Sequence, residues 1–168
     1  DALPCDRPGS MHGRNKSQNA RAAAVAALNM LGENDRFSLV TYDSRARVLI
    51  PSTRVTDANR RELTEKINAV TLGGSTALFA GVSLAANEIA KCREAGFVNR
   101  IVLLSDGQAN VGPSSAQELG RLGRGLVKEG VSVSTVGVGS DYNENLMTAL
   151  AQNSDGNFYF VENSRDLS

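Results

Sequence analysis

The chain has 168 residues, of which 41% are hydrophobic and 21% charged, as is typical of one soluble globular domain. Lysine plus arginine and aspartate plus glutamate each number 18, so the formal charge is zero. This balance argues against a nucleic-acid-binding protein, whose affinity depends on a basic surface, and no apolar run approaches the length of a membrane span.

Six stretches are predicted to form strands. The first comprises only residues 2–5 and contains Pro4, which cannot donate to a sheet ladder. The run 99–107 is nearly all apolar, which is typical of a strand buried on both faces of a parallel sheet. The short polar link Ser44-Arg45 predicts an antiparallel hairpin. The other predicted strands are 36–43, 46–51, 131–139 and 157–162.

Helical stretches alternate with these strands. Their predicted bounds are 17–31, 56–70, 77–95, 114–129 and 143–152, with Thr56 or Asp57 and Ser114 or Ser115 as capping residues. The alternation predicts one α/β domain over 1–168 with a doubly wound, mostly parallel six-stranded sheet, helices on both faces and one antiparallel edge strand. Residues 163–168 resemble the cap of a further, truncated helix.

Three isolated features have ordinary structural interpretations. Cys5 and Cys92 are too few for a disulfide framework and are expected to be buried free thiols. Arg121, Arg124 and Lys128 recur at helical spacing and predict a solvated helix face. The single histidine, His12, is expected in a solvent-facing loop.

Oxygen-bearing side chains follow the predicted strands. The segment "DRPGSMHG" with Asp6 and Ser10 comes after the first strand, and "SDGQAN" with Asp106 comes after the buried strand. "GGSTALFAG" places Thr76 before a helix. Ligands bind at the carboxyl ends of the strands in open parallel sheets, so we expect these side chains at one edge. Two carboxylates and hydroxyls suit Mg²⁺, with Mn²⁺ or Ca²⁺ as substitutes.

These motifs resemble those of von Willebrand factor type A domains, in particular the bacterial chloride-channel-like and inter-alpha-inhibitor-like members. The resemblance covers nearly the whole chain and rests on "DRPGS" before "MHG", "GGSTAL", "LLSDGQAN" and "STVGVG" followed by "YNENLM". It implies a protein–protein recognition module rather than an enzyme, with an extracytoplasmic location.

In that family the matching residues form a metal-ion-dependent adhesion site. The resemblance assigns Asp6, Ser10, Thr76 and Asp106 to the metal, and a partner's Glu or Asp completes the coordination. It implies partner contacts near Ser75, Gly107 and Gln108. Pro8 departs from the family, which has a ligating serine there; proline has no hydroxyl, so we expect weakened metal binding.

Two alternatives stay open at this point. Pro8 favours a metal-free scaffold domain, which would bind partners regardless of EDTA. An aspartate after the first strand could also accept a phosphoryl group in a Mg²⁺-dependent phosphotransfer or phosphatase domain. Against that, "DRPGS" lacks the second nearby acid, and no lysine lies in a matching loop. Thr76 alone could be only a helix N-cap.

Overall fold

The structure is a computed structural model that describes residues 8–42, 45–70, 77–92, 96–105, 112, 114–138 and 143–161. Helices and strands alternate through these ranges, as predicted. In chain order they are α1 (Pro8–Asn29), β1 (Arg36–Tyr42), β2 (Ala46–Arg54), α2 (Asp57–Asn68), α3 (Leu78–Lys91), β3 (Asn99–Ser105), α4 (Ala116–Lys128), β4 (Val131–Val138), α5 (Glu144–Asn153) and β5 (Phe158–Val161).

The start of α1 corrects the predicted loop. The helix begins at Pro8 rather than at residue 17, so Ser10 and His12 lie on helical backbone. Proline suits the first helical position, because its missing N–H would have no partner within the helix there and its φ is already helical. Glycine, serine and histidine favour a loop at residues 9–13. The long alanine-rich segment that follows them has a high helix propensity, and the helix extends from it towards the N-terminus.

Two helices begin as predicted, at capping boxes. The Thr56 hydroxyl accepts the Asn59 backbone N–H, and the Asn59 side chain accepts the Thr56 N–H in return. Ser115 and Glu118 make the same reciprocal pair at the start of α4. Each box gives two N-terminal N–H groups the partners that the helix itself cannot supply.

The sheet is divided within the described ranges. Strands β1 and β2 form an antiparallel hairpin, as predicted, and β3, β4 and β5 form a parallel sheet in that order. The single six-stranded sheet is therefore not confirmed. The predicted first strand, residues 2–5, lies outside the described residues.

A cavity of about 490 Å³ separates the two sheets. Strands β1 and β3 line it on two sides. Helix α1 contributes mostly alanines, Ala20, Ala23, Ala24 and Ala27, and α3 contributes small or aliphatic residues such as Gly81 and Ala85. The cavity is thus a slot between two strand edges with a helix over each face.

The described residues form two hydrophobic cores. One joins α1, β2 and α2 through Leu28, Ile50 and Ile67, which are at most 1% exposed. The other packs α3, α4 and α5 on β3 and β4, and its fully buried members include Val82, Leu119, Val133 and Leu150. Helix α3 contacts β1, β2 and β3, so it connects the two halves.

Arginine side chains join helices α1 and α2, which pack antiparallel to each other. Arg60 donates from Nη1 to the Leu28 carbonyl oxygen at 2.7 Å and from Nη2 to that of Leu31 at 2.8 Å. Arg21 on α1 donates to the Asn68 carbonyl oxygen at the end of α2, at 3.1 Å. Each helix thus supplies a cation to the other's C-terminus, where carbonyl groups lack partners and the helix dipole is negative.

Helices α4 and α5 approach closely at glycine. A Cβ added to Gly123 would lie 2.9 Å from the Leu150 carbonyl oxygen and 3.2 Å from the Asn153 backbone carbon. A Cβ added to Gly125 would have no atom within 4 Å. Backbone contact therefore requires glycine at position 123 and leaves position 125 unconstrained.

Candidate functional site

A side-chain hydrogen bond joins the carboxyl ends of β1 and β3 across the slot. Tyr42, the last residue of β1, donates its hydroxyl hydrogen to the carbonyl oxygen of Leu104, which is the last but one residue of β3. Ser105 ends β3 and is 5% exposed. Asp106 follows Ser105 directly in the chain and lies outside the described residues. The two strands thus end on the same side of the fold.

The start of α3 reaches the same edge. The Tyr42 ring packs on Gly81 so closely that an added Cβ would lie 2.8 Å from ring carbon Cδ1. The helix begins at Leu78, and its N-cap is Ala77, which makes no side-chain cap hydrogen bond. The alternative of Thr76 as the N-cap residue is therefore wrong, because the cap position falls one residue later.

Most of the predicted site residues lie outside the described ranges. Of the four predicted metal ligands, only Ser10 is covered, as backbone in the first turns of α1. Thr76 and Asp106 directly adjoin described segments, and Asp6 lies two residues before Pro8, but none of the three is described. Ser75, Gly107 and Gln108 also lie outside the described residues. Their roles therefore stay predictions.

No cluster of three or more His, Cys, Asp or Glu side chains occurs within the portions of the chain that the structure describes. The predicted donors instead come from Asp6, Ser10, Thr76 and Asp106. All four offer hard oxygen atoms, and such a set fits Mg²⁺ better than a metal that prefers nitrogen or sulfur. The chemistry of the donor set thus agrees with a magnesium-type ion.

Among the described residues, two carboxyls have lowered pKa values, and both have structural partners. Glu88 on α3 is 2% exposed; its bond from Lys91 lowers its pKa, and the Ser52 N–H of β2 donates to it at 3.3 Å. Hydrogen bonds from Ser115 lower the pKa of Glu118 within its capping box. Both groups hold helices in place, so neither is a candidate for catalysis.

The structure also tests the predictions for the basic residues of α4 and for Cys92. Arg121, Arg124 and Lys128 are exposed on α4, which confirms the solvated face, and Arg124 donates to Asn153 of α5 at 2.7 Å. Cys92 is a free thiol but is half-buried rather than buried. None of the helices in the described ranges combines the length and apolarity needed to cross a membrane.

Three residues at this edge were missed by the sequence reasoning. Tyr42 joins the ends of two strands, and Arg45 and Arg47 flank its cross-strand partner Ala46. Strand alternation predicts that Arg45 and Arg47 share one face, which could have identified them as a pair. The Tyr42 bond spans 62 residues and has no local signal in the sequence.

Curated relatives cover most of this chain. The uncharacterized protein YfbK of Escherichia coli (strain K12) is 30% identical over 158 residues, which is 94% of this chain and 27% of the relative. Human inter-alpha-trypsin inhibitor heavy chain H4 is 29% identical over 160 residues, or 90% of this chain and 17% of that protein. The chain thus spans less than a third of either relative.

Solved structures share the fold. A von Willebrand factor type A protein from Catenulispora acidiphila superposes with a TM-score of 0.80 at 20% identity, covering 92% of this chain and 36% of that one. An aerotolerance-related membrane protein from Bacteroides fragilis gives 0.73 at 17% identity, covering 89% and 83%. Proximal thread matrix protein 1 from the mussel byssus, with a zinc-occupied MIDAS motif, gives 0.68 at 21% identity, covering 92% and 38%.

The family comparison settles the classification. The model of the von Willebrand factor type A domain matches residues 5–168. That match covers nearly the whole chain, including the alternating helices and strands described above. The chain therefore belongs to the von Willebrand factor type A domain family.

Proposed function

We propose that this domain binds a partner protein through a divalent cation held at the carboxyl edge of its sheet. The observation that carries the proposal is the meeting of the ends of β1 and β3 with the start of α3 around Tyr42. The segments with Asp106 and Thr76 adjoin these described ends in sequence. Recognition through protein–protein contacts is the common role of the family.

In this proposal Asp6, Ser10, Thr76 and Asp106 hold the ion, and Mg²⁺ is its natural occupant. Ser75, Gly107 and Gln108 surround it and contact the partner. An acidic side chain of the partner protein completes the coordination, because so few protein oxygens leave positions open. The site binds and orients a carboxylate, and the domain performs no catalysis.

Pro8 weakens the ion's hold in this proposal. A serine there would offer a hydroxyl, whereas proline has none and begins α1. The alternative of a metal-free interaction domain rests on the same observation. The aspartate-based phosphotransfer alternative would need Asp6 as the phosphoryl acceptor, and "DRPGS" lacks the second nearby acid that such sites use.

The six-stranded sheet is part of the proposal. A strand formed by residues 2–5 would lie in the slot between β1 and β3 and join the two sheets into one. The slot supports this because unpaired strand edges and small side chains line it. Such a strand would be followed by α1 and then by β1, which is the strand–helix–strand order of a parallel crossover. It would then run parallel to β1 and end with Asp6 at the carboxyl edge.

We also propose an extracytoplasmic setting. It is supported by the family resemblance and by the likeness to an aerotolerance-related membrane protein. Expressing the natural gene in its host and separating extracytoplasmic from cytoplasmic fractions would test it. Recovery in the cytoplasmic fraction would contradict this placement.

Titration calorimetry tests the metal site. The purified domain is titrated with Mg²⁺, then Mn²⁺ and Ca²⁺, beside the variants Asp106→Ala and Pro8→Ser. We expect weak binding in the native chain, none in Asp106→Ala, and tighter binding in Pro8→Ser. The matched control is Asp57→Ala, which removes an aspartate from the first turn of α2, far along the chain from the proposed ligands.

Each outcome has one meaning. Binding that Asp106→Ala abolishes and Asp57→Ala keeps supports the site. Binding that survives Asp106→Ala places the ion elsewhere and contradicts it. No binding in the native chain but binding in Pro8→Ser favours the metal-free alternative, whose partner binding would ignore EDTA.

A further inference from the structure

The hairpin of β1 and β2 is strongly basic although the whole chain is neutral. Residues 36–54 contain four arginines, Arg36, Arg45, Arg47 and Arg54, against one acidic residue, Asp43, which lies outside the described residues. All four arginines are exposed. The hairpin is therefore locally positive and attracts anions, although the formal charge of the whole chain is zero.

Register divides these arginines into two pairs. Arg36 lies opposite Arg54 at the far end of the hairpin, where like charges face each other. Arg47 lies opposite Thr41, and Arg45 precedes Ala46, which lies opposite Tyr42. The two pairs are separated by about 23 Å along β2, at roughly 3.3 Å per residue.

The second pair lies at the carboxyl edge. Tyr42 is held by its hydroxyl to Leu104, two residues before Asp106. Arg45 and Arg47 flank the residue paired with Tyr42, so they lie at the edge where the proposed function locates the metal site. Along β2 the exposed positions alternate with buried or half-buried ones, so Arg47 and its neighbour Arg45 face away from the core.

We propose that Arg45 and Arg47 select partners whose metal-binding carboxylate lies within an acidic segment. This inference rests on the proposed function and adds a specificity determinant to it. The ion engages one carboxylate, and the arginines attract the acidic residues beside it. Charge complementarity of this kind favours specificity and rapid association more than raw affinity. The occupant of this surface is therefore an acidic stretch of a partner protein.

Two short peptides test the selection. Both are capped nine-residue peptides with a central glutamate; one is flanked by glutamines and the other by glutamates. Binding to the domain is followed by fluorescence anisotropy in Mg²⁺ and in EDTA. We expect the acidic peptide to bind about fivefold tighter than the neutral one, as two exposed ion pairs would give, and the advantage to shrink in high salt.

A matched pair of double variants locates the effect. R45Q with R47Q should remove the preference for the acidic peptide. R36Q with R54Q removes the same charge from the same hairpin and should leave the preference intact. Equal losses in both double variants would overturn the inference, because the effect would then be one of net charge.

The remaining outcomes separate this inference from the metal site. If both peptides bind equally and need Mg²⁺, the arginines select nothing and the inference is wrong while the site stands. If acidic-peptide binding persists in EDTA but is lost in R45Q with R47Q, the arginines bind acidic segments without an ion. The metal proposal then fails, and the inference fails as stated, because no metal-bound carboxylate is selected. Stronger binding of an oligonucleotide of equal charge would overturn the choice of partner.

Discussion

Two glycines in α4 should respond oppositely to the same substitution. Glycine in a helix interior costs about 1 kcal/mol relative to alanine. At Gly125 an added Cβ meets no atom within 4 Å, so Gly125→Ala should recover this energy. We expect the free energy of unfolding to rise by about 0.5–1 kcal/mol and the melting temperature by roughly 2–4 °C.

Gly123→Ala should instead destabilise the domain. Its Cβ would lie 2.9 Å from a backbone oxygen of α5, closer than such atoms approach, so one helix must shift. Overpacking of this kind costs typically 1–3 kcal/mol, and the helix-propensity gain offsets about 1 kcal/mol of that. Because the contacted atoms belong to the α5 backbone and cannot rotate away, we expect the free energy of unfolding to fall by roughly 1–2 kcal/mol.

Urea unfolding of the native chain and both variants measures the difference. Gly120 offers an intermediate case, because its Cβ would lie 3.2 Å from the flexible Asn153 side chain, which can move. The expected order of stability is Gly125→Ala, native, then Gly123→Ala, with Gly120→Ala between the two variants. A Gly123→Ala protein as stable as Gly125→Ala would refute the close approach of α4 and α5.

Three further changes have defined outcomes. Arg60→Ala should cost about 1–2 kcal/mol of unfolding free energy, since the carbonyl groups of Leu28 in α1 and of Leu31 just after it lose their cationic donor; an unchanged urea midpoint would contradict this cap. Leu150→Ala should cost about 2–5 kcal/mol, because Leu150 is 0% exposed in the larger core; a smaller loss would indicate that the site collapses. The pKa of Glu88 is lowered from about 4.5, so its stabilising effect is present above that pH and is lost as pH falls through the lower folded-state value. Melting curves of the native chain and Glu88→Gln should therefore converge in acid and diverge near neutrality, and a constant difference across pH would refute this linkage.

The strands were predictable where pattern and position agreed. The apolar run 99–107 correctly predicted a strand, and β3 ends at Ser105, close to the predicted end. Its predicted burial on both faces is wrong, because exposed Val102 lies between buried Ile101 and Leu103. The capping residues of α2 and α4 were equally visible, because cap chemistry is local. The start of α1 was not predictable from local preference. Glycine and serine there favour a loop, but the helix that follows them extends through these residues.

The candidate site was predictable only as a set of residue types. Strand order and the rule that ligands bind at carboxyl ends predict that Asp106 lies at an edge, but they do not predict its neighbours. Tyr42 and the two arginines beside it depend on pairing across the hairpin and on a contact between distant segments. Such contacts follow from tertiary packing, which no short window of sequence contains.

The two hydrophobic cores have a consequence for how the domain opens. Because α1, β2 and α2 pack around one cluster and α3, α4 and α5 around another, each half is a candidate cooperative unit for hydrogen exchange. The bond between Tyr42 and Leu104 crosses from β1 to β3, from one unit to the other. A partner bound at that edge would bridge both units, so it should slow amide exchange in each, including segments far from any contact.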